Sequence, residues 1–384
     1  YVFFRVGGRD EPRVRWPKAR YNRETSTARP KVAGVALVMD NWTKFSKSPI
    51  GRNILQELYL DIMNFLIRHL EENGLRLIVL REESTATEIA ILPDHGASLH
   101  AFTVRAPKAG GSAGRFNVID NYHDRDQLEK IVDRSYKSSK LSPWPCRIPD
   151  GKYVFEGKTY QFKRLFPDGT AIHGLLYNKP FTVLEETTDG ASASLAMEYR
   201  YNREDEGYPF DYACGVRYIL HPDSMLEVVT TVTNLDNKVI PIADGWHPYF
   251  QLGGKADDWQ MQFYASAMVE FDAKLIPTGK LLQYDVFDTP KRMGDTFLDN
   301  CFVLKQQLVS AACELFNPDN GLRVSFYPDD SYPYLQVYTP DSRQSIAVEN
   351  LSGAPDCFNN KMGLTLLESG RSQIFTTRYK VSVE

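Results

Sequence analysis

The feature that most constrains this chain is a period-two alternation of apolar residues in short runs, each closed by turn-forming residues. Leu195, Met197, Tyr199 and Tyr201 share one parity. Val216, Tyr218 and Leu220 lead through His221-Pro222-Asp223-Ser224 into Leu226, Val228, Thr230 and Val232. Leu322, Val324 and Phe326 alternate again, as do Leu335 with Val337 and Ile346 with Val348. Successive side chains of a strand point to opposite faces, so each run reads as a strand with one buried face, and His221 to Ser224 as the turn of a hairpin. Leu75 to Leu80 is mostly apolar at both parities, as expected of a strand covered on both sides. Beyond Gly74 only Asp126 to Ser135 has the spacing of a helix. Many short strands joined by polar turns predict an all-β fold, a large sandwich of antiparallel sheets with a few short helices.

Composition agrees and narrows the function classes. Aromatic residues make up 12% of the 384, and 25 Gly and 22 Pro supply the turns. No linker interrupts residues 63–384, which are expected to form one domain. Residues 1–62 differ: Arg5, Arg9, Arg13, Arg15, Arg20, Arg23 and Arg29 recur without apolar periodicity. They are expected to be a loosely ordered or non-native extension, with Met63 a candidate natural start. Ser48-Pro49 ahead of Leu55, Leu58, Ile62 and Phe65 predicts a helix near 50–62. The net charge of -4 provides no overall field for nucleic acid. The run Val32 to Met39 falls short of the about 18 apolar residues of a membrane span. Five scattered cysteines without a CxxC pair argue against a disulfide framework or a structural zinc, and for a reducing, cytoplasmic setting. The chain is expected to act alone or as a homodimer.

Five segments carry side chains suited to chemistry. Asp244-Gly245-Trp246-His247-Pro248-Tyr249-Phe250 sets an imidazole among aromatic rings, which suit the C–H face of a sugar, while histidine suits proton transfer near neutral pH. The bland alternative is a strand-end histidine satisfied by a carbonyl. In Ile346-Ala347-Val348-Glu349-Asn350, parity puts Glu349 on one face with the small Ala347, leaving room for a ligand; the alternative is a solvent-facing glutamate. His173-Gly174, Arg147 within Pro143-Trp144-Pro145-Cys146-Arg147-Ile148-Pro149, and Asp299 between apolar flanks are further candidates, each with a turn or surface reading beside it. No HxH, HExxH or paired-cysteine spacing predicts a metal site, and no glycine-rich phosphate cradle or Gly-x-Ser-x-Gly elbow predicts a cofactor or a serine nucleophile.

Taken in order, these segments resemble the aldose 1-epimerase (galactose mutarotase) family. Asp94-His95-Gly96-Ala97, Pro143 to Ile148 with Cys146 where the family usually has Asn, His173-Gly174, Gly245-Trp246-His247-Pro248-Tyr249-Phe250, Asp299 to Phe302 and Val348-Glu349 are similar to its motifs. The resemblance implies a β-sandwich with an open groove that interconverts the anomers of a free aldose without a cofactor. Carried over residue by residue, it implies Glu349 as base, His247 as acid, His173 near the ring oxygen, and Arg147 and Asp299 on sugar hydroxyls. Trp144, Tyr249 and Phe250 are implied as stacking or wall residues. Ordinary acidities would leave His247 protonated and Glu349 ionised near neutral pH. Three other readings remain: a non-catalytic sugar-binding protein, a hexose-6-phosphate epimerase relative that would need extra cations at the groove, and a carbohydrate lyase or hydrolase on a similar sandwich.

Overall fold

The computed structural model describes residues 64–107, 113–306 and 308–384; the helix expected near 50–62 and the rest of residues 1–62 lie outside the described residues. Three antiparallel sheets hold most of the strands. One is a five-strand meander in chain order, Phe65–Glu72, Leu75–Glu82, Thr87–Leu92, Ser98–Pro107 and Ala113–Asn117. Phe65, placed by its spacing in the helical segment, instead opens the first strand and is buried, so β structure begins before Gly74. The reason is long-range: the segment pairs along its whole length with Leu75–Glu82, and that ladder overrides a weak helical period.

The second sheet has nine strands and contains the predicted hairpin, Asp211–His221 with Met225–Asn234, turned by Asp223 and Ser224 in left-handed conformation. Its middle is closed by the last strand, Ser372–Val383, which pairs with both Met225–Asn234 and Leu322–Pro328. The third sheet has eight strands. It runs from Pro277–Leu282 through Ala265–Phe271, Asp299–Leu304, Tyr334–Tyr338 and Ile346–Leu351 to Gly245–Trp246 and Lys140–Leu141, with Tyr249–Phe250 also on Ile346–Leu351.

The second and third sheets pack face to face. Phe250 of the eight-strand sheet meets Phe326 and Tyr379 of the nine-strand sheet at 4.8 and 5.7 Å between ring centroids. The Asn350 carboxamide accepts from Thr377 Oγ1 at 2.9 Å across the same interface. Burial of large aromatic and branched side chains between the layers is the main driving force, at ~25 cal/mol per Å² of apolar surface. One eleven-residue helix, Arg125–Ser135, matches the helical spacing; Asp124 caps it by accepting from the Gln127 N–H, and Leu128 and Val132 are buried. It delivers Tyr136 and Lys137 to the mouth of a cleft over the eight-strand sheet. Among the described residues no helix is long and apolar enough to cross a membrane. All five cysteines are buried and free.

Candidate active site

The cleft floor is a patch of one face of the eight-strand sheet, and strand register decides what lies there. Gly245 pairs with Leu351, and Tyr249 with Ala347. The register continued between them sets His247 opposite Glu349, and across the next strand Glu349 pairs with Gln336. One step along, Tyr249, Ala347, Tyr338 and Asp299 form a parallel row. Ala347 shares the Glu349 face as parity requires but is fully buried and does not line the cleft; the rings of Tyr249 and Tyr338, on the residues paired with it, lie 6.4 Å apart and edge to face. The opposite parity, Ile346, Val348 and Asn350, is fully buried in the inter-sheet core.

His247 is held from two sides. Its backbone N–H donates to the Ser139 carbonyl at 3.2 Å, and its carbonyl accepts from the Ser138 N–H at 2.8 Å. Beneath it Lys140 Nζ and Asp244 Oδ1 meet at 2.5 Å with both side chains fully buried. Lys140 also donates to the Gly245 carbonyl and lies over the Trp246 ring, and Tyr332 OH donates to Asp244. A side chain at Gly245 would come within 2.6 Å of Leu351 Cδ2, which explains glycine in this tightly paired position. The imidazole then stacks on Tyr249, with centroids 5.0 Å apart.

His173 comes from a two-strand ladder in which Ile172 pairs with Arg147 and Ala171 with Ile148. Its N–H donates to the Cys146 carbonyl at 3.0 Å, and its Nδ1 accepts from the Cys146 N–H at 3.3 Å. Gly174 follows with φ +72, and an added Cβ would lie 2.2 Å from the Ser142 carbonyl oxygen, so only glycine lets the chain pass there. The His173 and His247 rings meet edge to face at 4.9 Å.

The five candidate residues thus border one cleft of about 380 Å³, at the small end of the ~300–1,000 Å³ range of small-molecule sites. His247 Nε2 lies 3.4 Å from Glu349 Oε1, with only 5% and 2% of the two residues exposed. Glu349 Oε2 and His247 Nδ1 have no hydrogen-bond partner. Asp299 accepts from Gln336 Nε2 at 2.8 Å, and Arg147 Nε donates to Asp168 Oδ2 at 3.2 Å.

Burial changes the expected acidities. It pushes the Glu349 carboxyl well above its usual range, with Asp299 adding to the rise and Arg147 opposing it. It pushes His247 down to about 3, and His173 well below the usual imidazole range. The expectation of ordinary values for a protonated His247 beside an ionised Glu349 is therefore corrected. Burial penalises both charged forms, so it shifts the pair toward neutral carboxyl and neutral imidazole.

Two implied wall residues are also corrected. Phe250 points away from the cleft into the inter-sheet core and is fully buried. Trp144 packs on Phe162 at 4.0 Å and borders a separate, smaller cavity of about 230 Å³ behind Phe166 and Ile172. Tyr249 does line the cleft. Residues that sequence reasoning missed are Gln336 and Tyr338, which pair beside Glu349, and Tyr136 and Lys137 at the mouth. Gln336 and Tyr338 share the parity opposite the apolar Leu335 and Val337, but only register brings that face beside Glu349.

Comparison with known proteins follows this geometry. The family model described as Aldose 1-epimerase matches residues 90–380. The chain belongs to the aldose 1-epimerase family. It is 30% identical over 239 residues to the uncharacterized protein YihR of Escherichia coli (strain K12), covering 60% of this chain and 74% of that one. Its fold is similar to a galactose mutarotase-like protein from Clostridium acetobutylicum, with TM-score 0.71 and 17% identity over 84% of this chain and 99% of the other. The galactose 1-epimerase from Lactobacillus acidophilus gives 0.68 and 17% over 83% and 99%.

Proposed function

We propose that this protein interconverts the α and β anomers of a free aldohexose by general acid–base catalysis, with Glu349 and His247 as the proton-transferring pair. The observation that carries this reading is their contact at 3.4 Å on the floor of a sugar-sized cleft. The two oxygens of a hemiacetal, O1 and O5, share one carbon, so the groups serving them must be close neighbours. Glu349 takes the O1 proton while His247 gives a proton to O5. The ring opens to an aldehyde, rotation about C1–C2 presents its other face, and closure reverses both transfers. Each well-placed group typically contributes ~10²–10⁴-fold, enough for a reaction that already proceeds in water.

The acidities fit this cycle. Ring opening converts carboxylate plus imidazolium into carboxyl plus imidazole, which is the pair burial favours. Opening therefore starts with the shared proton on His247, and the Arg147 charge near Glu349 offsets part of the cost of that ionised form. In this reading His173 hydrogen-bonds near O5. Arg147 and Asp299 hold the remaining hydroxyls, and Tyr249 and Tyr338 take the C–H face of the ring, a reading supported by their all lining the cleft.

Polarimetry on fresh α-D-glucose and α-D-galactose is the test. Glu349→Gln should lose at least ~10²-fold in turnover with sugar affinity little changed. Wild-type protein that binds sugar without accelerating anomerisation would instead support a non-catalytic binder.

A second reading concerns the substrate's charge. Arg134, Lys137 and Arg147 all border the cleft. Lys137 and Arg147 are paired with Asp120 and Asp168, whereas Arg134 is exposed and has no carboxylate partner among the described residues. This favours an aldose with an anionic substituent at the cleft mouth. Comparing anomerisation of glucose with that of glucose 6-phosphate, in wild type and Arg134→Ala, separates the two readings.

A further inference from the structure

We propose that the cleft floor also binds a thiophilic divalent cation of the zinc class through Cys146, His173 and Glu349, and that this cation excludes the sugar. One ligand atom from each of the three residues lies within 4.8 Å of the other two, and all three residues are buried. The sequence spacing predicts no such site, because residues 146, 173 and 349 sit on three separate strands or strand ends that only the fold brings together.

Two further observations point to a ligand. Glu349 Oε2 is buried without any partner, on a residue only 2% exposed. His173 Nδ1 accepts from the Cys146 N–H at 3.3 Å, which leaves Nε2 as the ring nitrogen open to a ligand. Zinc bonds of ~2.0–2.3 Å in tetrahedral geometry place ligand atoms about 3.3–3.8 Å apart. The three side chains must therefore draw together by at most ~1.5 Å for any pair. Water fills the fourth position.

The donor set decides the class of ion. One sulfur, one imidazole nitrogen and one carboxylate oxygen suit zinc, cobalt or cadmium, and suit magnesium or calcium poorly, since those prefer all-oxygen shells. Cys146 supplies the discriminating atom at the position where similar family motifs carry Asn. On coordination the thiol proton leaves to solvent, as does any proton on Glu349, and the metal takes up the freed electron pairs. Glu349 is then unable to accept a proton from a sugar. The binding half of this inference stands on geometry alone; only the inhibitory half rests on the proposed anomerase activity.

Cobalt(II) and zinc titrations of the reduced full chain in thiol-free buffer test it. Cobalt should bind one to one with a sulfur-to-metal charge-transfer absorption, zinc should displace it, and magnesium should not. Cys146→Ser should remove the band and weaken zinc at least ~10-fold, a loss in the range measured when a metal site is perturbed. Cys301→Ser, a second buried cysteine near the site, should keep the band. Glu349→Gln should weaken zinc as well, which keeps the test decisive if the Cys146 variant misfolds. Absence of the band, or zinc affinity unchanged in both Cys146→Ser and Glu349→Gln, overturns the site. A protein inactive toward every aldose that still shows the Cys146-dependent band retains the site and loses only the inhibition.

Discussion

Two buried acid–base pairs lie a few residues apart on the same sheet, and they are built for opposite ends. Lys140 and Asp244 meet at 2.5 Å with neither side chain exposed, and Tyr332 and the Gly245 carbonyl add further hydrogen bonds. His247 and Glu349 meet at 3.4 Å, and the outer atoms of both, Nδ1 and Oε2, are left without partners. The first pair, whose Asp244 Oδ2 is likewise unpartnered, lines neither cavity and holds the Gly245–Trp246 strand. The second borders a cleft and keeps hydrogen-bonding capacity unspent. An unpaired buried carboxyl oxygen destabilises the fold, so its presence beside a cleft argues for a ligand that completes it.

The contrast is sharpest when each pair is broken in turn. Glu349→Gln should remove at least ~10²-fold of the proposed anomerisation rate while the thermal midpoint changes little. Lys140→Met should do the reverse at the level of the fold. It strands Asp244 as an uncompensated buried charge, and the expected loss of stability is ~3–5 kcal/mol, read by denaturant unfolding. If Lys140→Met left stability intact, the Asp244 pair would not be the anchor described here.

Smaller changes test the periphery of the cleft. Asp299→Ala should raise the KM for the sugar about 5–150-fold, corresponding to loss of charged hydrogen bonds of ~1–3 kcal/mol, with a smaller effect on kcat. Phe250→Leu should cost stability, by less than the ~3–5 kcal/mol of a full Phe→Ala truncation, and leave KM unchanged, because Phe250 faces the core. A large KM effect there would return Phe250 to the cleft wall.

The pH dependence distinguishes a dry pair from two ordinary groups. The reactive state carries one transferable proton shared by Glu349 and His247. Adding a second requires protonating an imidazole that burial holds at about 3, so activity should persist below the usual histidine range and fall only toward that value. Removing the last proton means ionising a carboxyl that burial raises, so the alkaline limb moves up from the usual carboxylate range. Both limbs belong to the pair rather than to either residue. An acid limb near 6.5 in kcat/KM would indicate a solvated histidine instead.

Much of this was legible in the residues. Alternation located most strands, and the parity of Ala347 and Glu349 identified the face that borders the cleft. What the pattern does not contain is register between strands distant in the chain. Gln336 and Asp299 meet across the ladder of Asp299–Leu304 with Tyr334–Tyr338, and the Cys146, His173 and Glu349 convergence depends on three ladders at once. Phe250 and Trp144 show the converse error. An aromatic residue next to a site residue in sequence alternates to the other face, as Phe250 does after Tyr249, and is then core. Acidity was misjudged for a related reason: sequence shows which groups titrate but not how dry their surroundings are.

The central claim is that His247 and Glu349 act as one unit. A double-variant cycle tests it most directly, with kcat/KM measured by polarimetry for wild type, Glu349→Gln, His247→Asn and the combined variant. The account predicts strong non-additivity, with the combined variant within a few-fold of the slower single variant, because either change alone disables the shared proton transfer. Losses that simply multiply would show two groups acting independently and would contradict it.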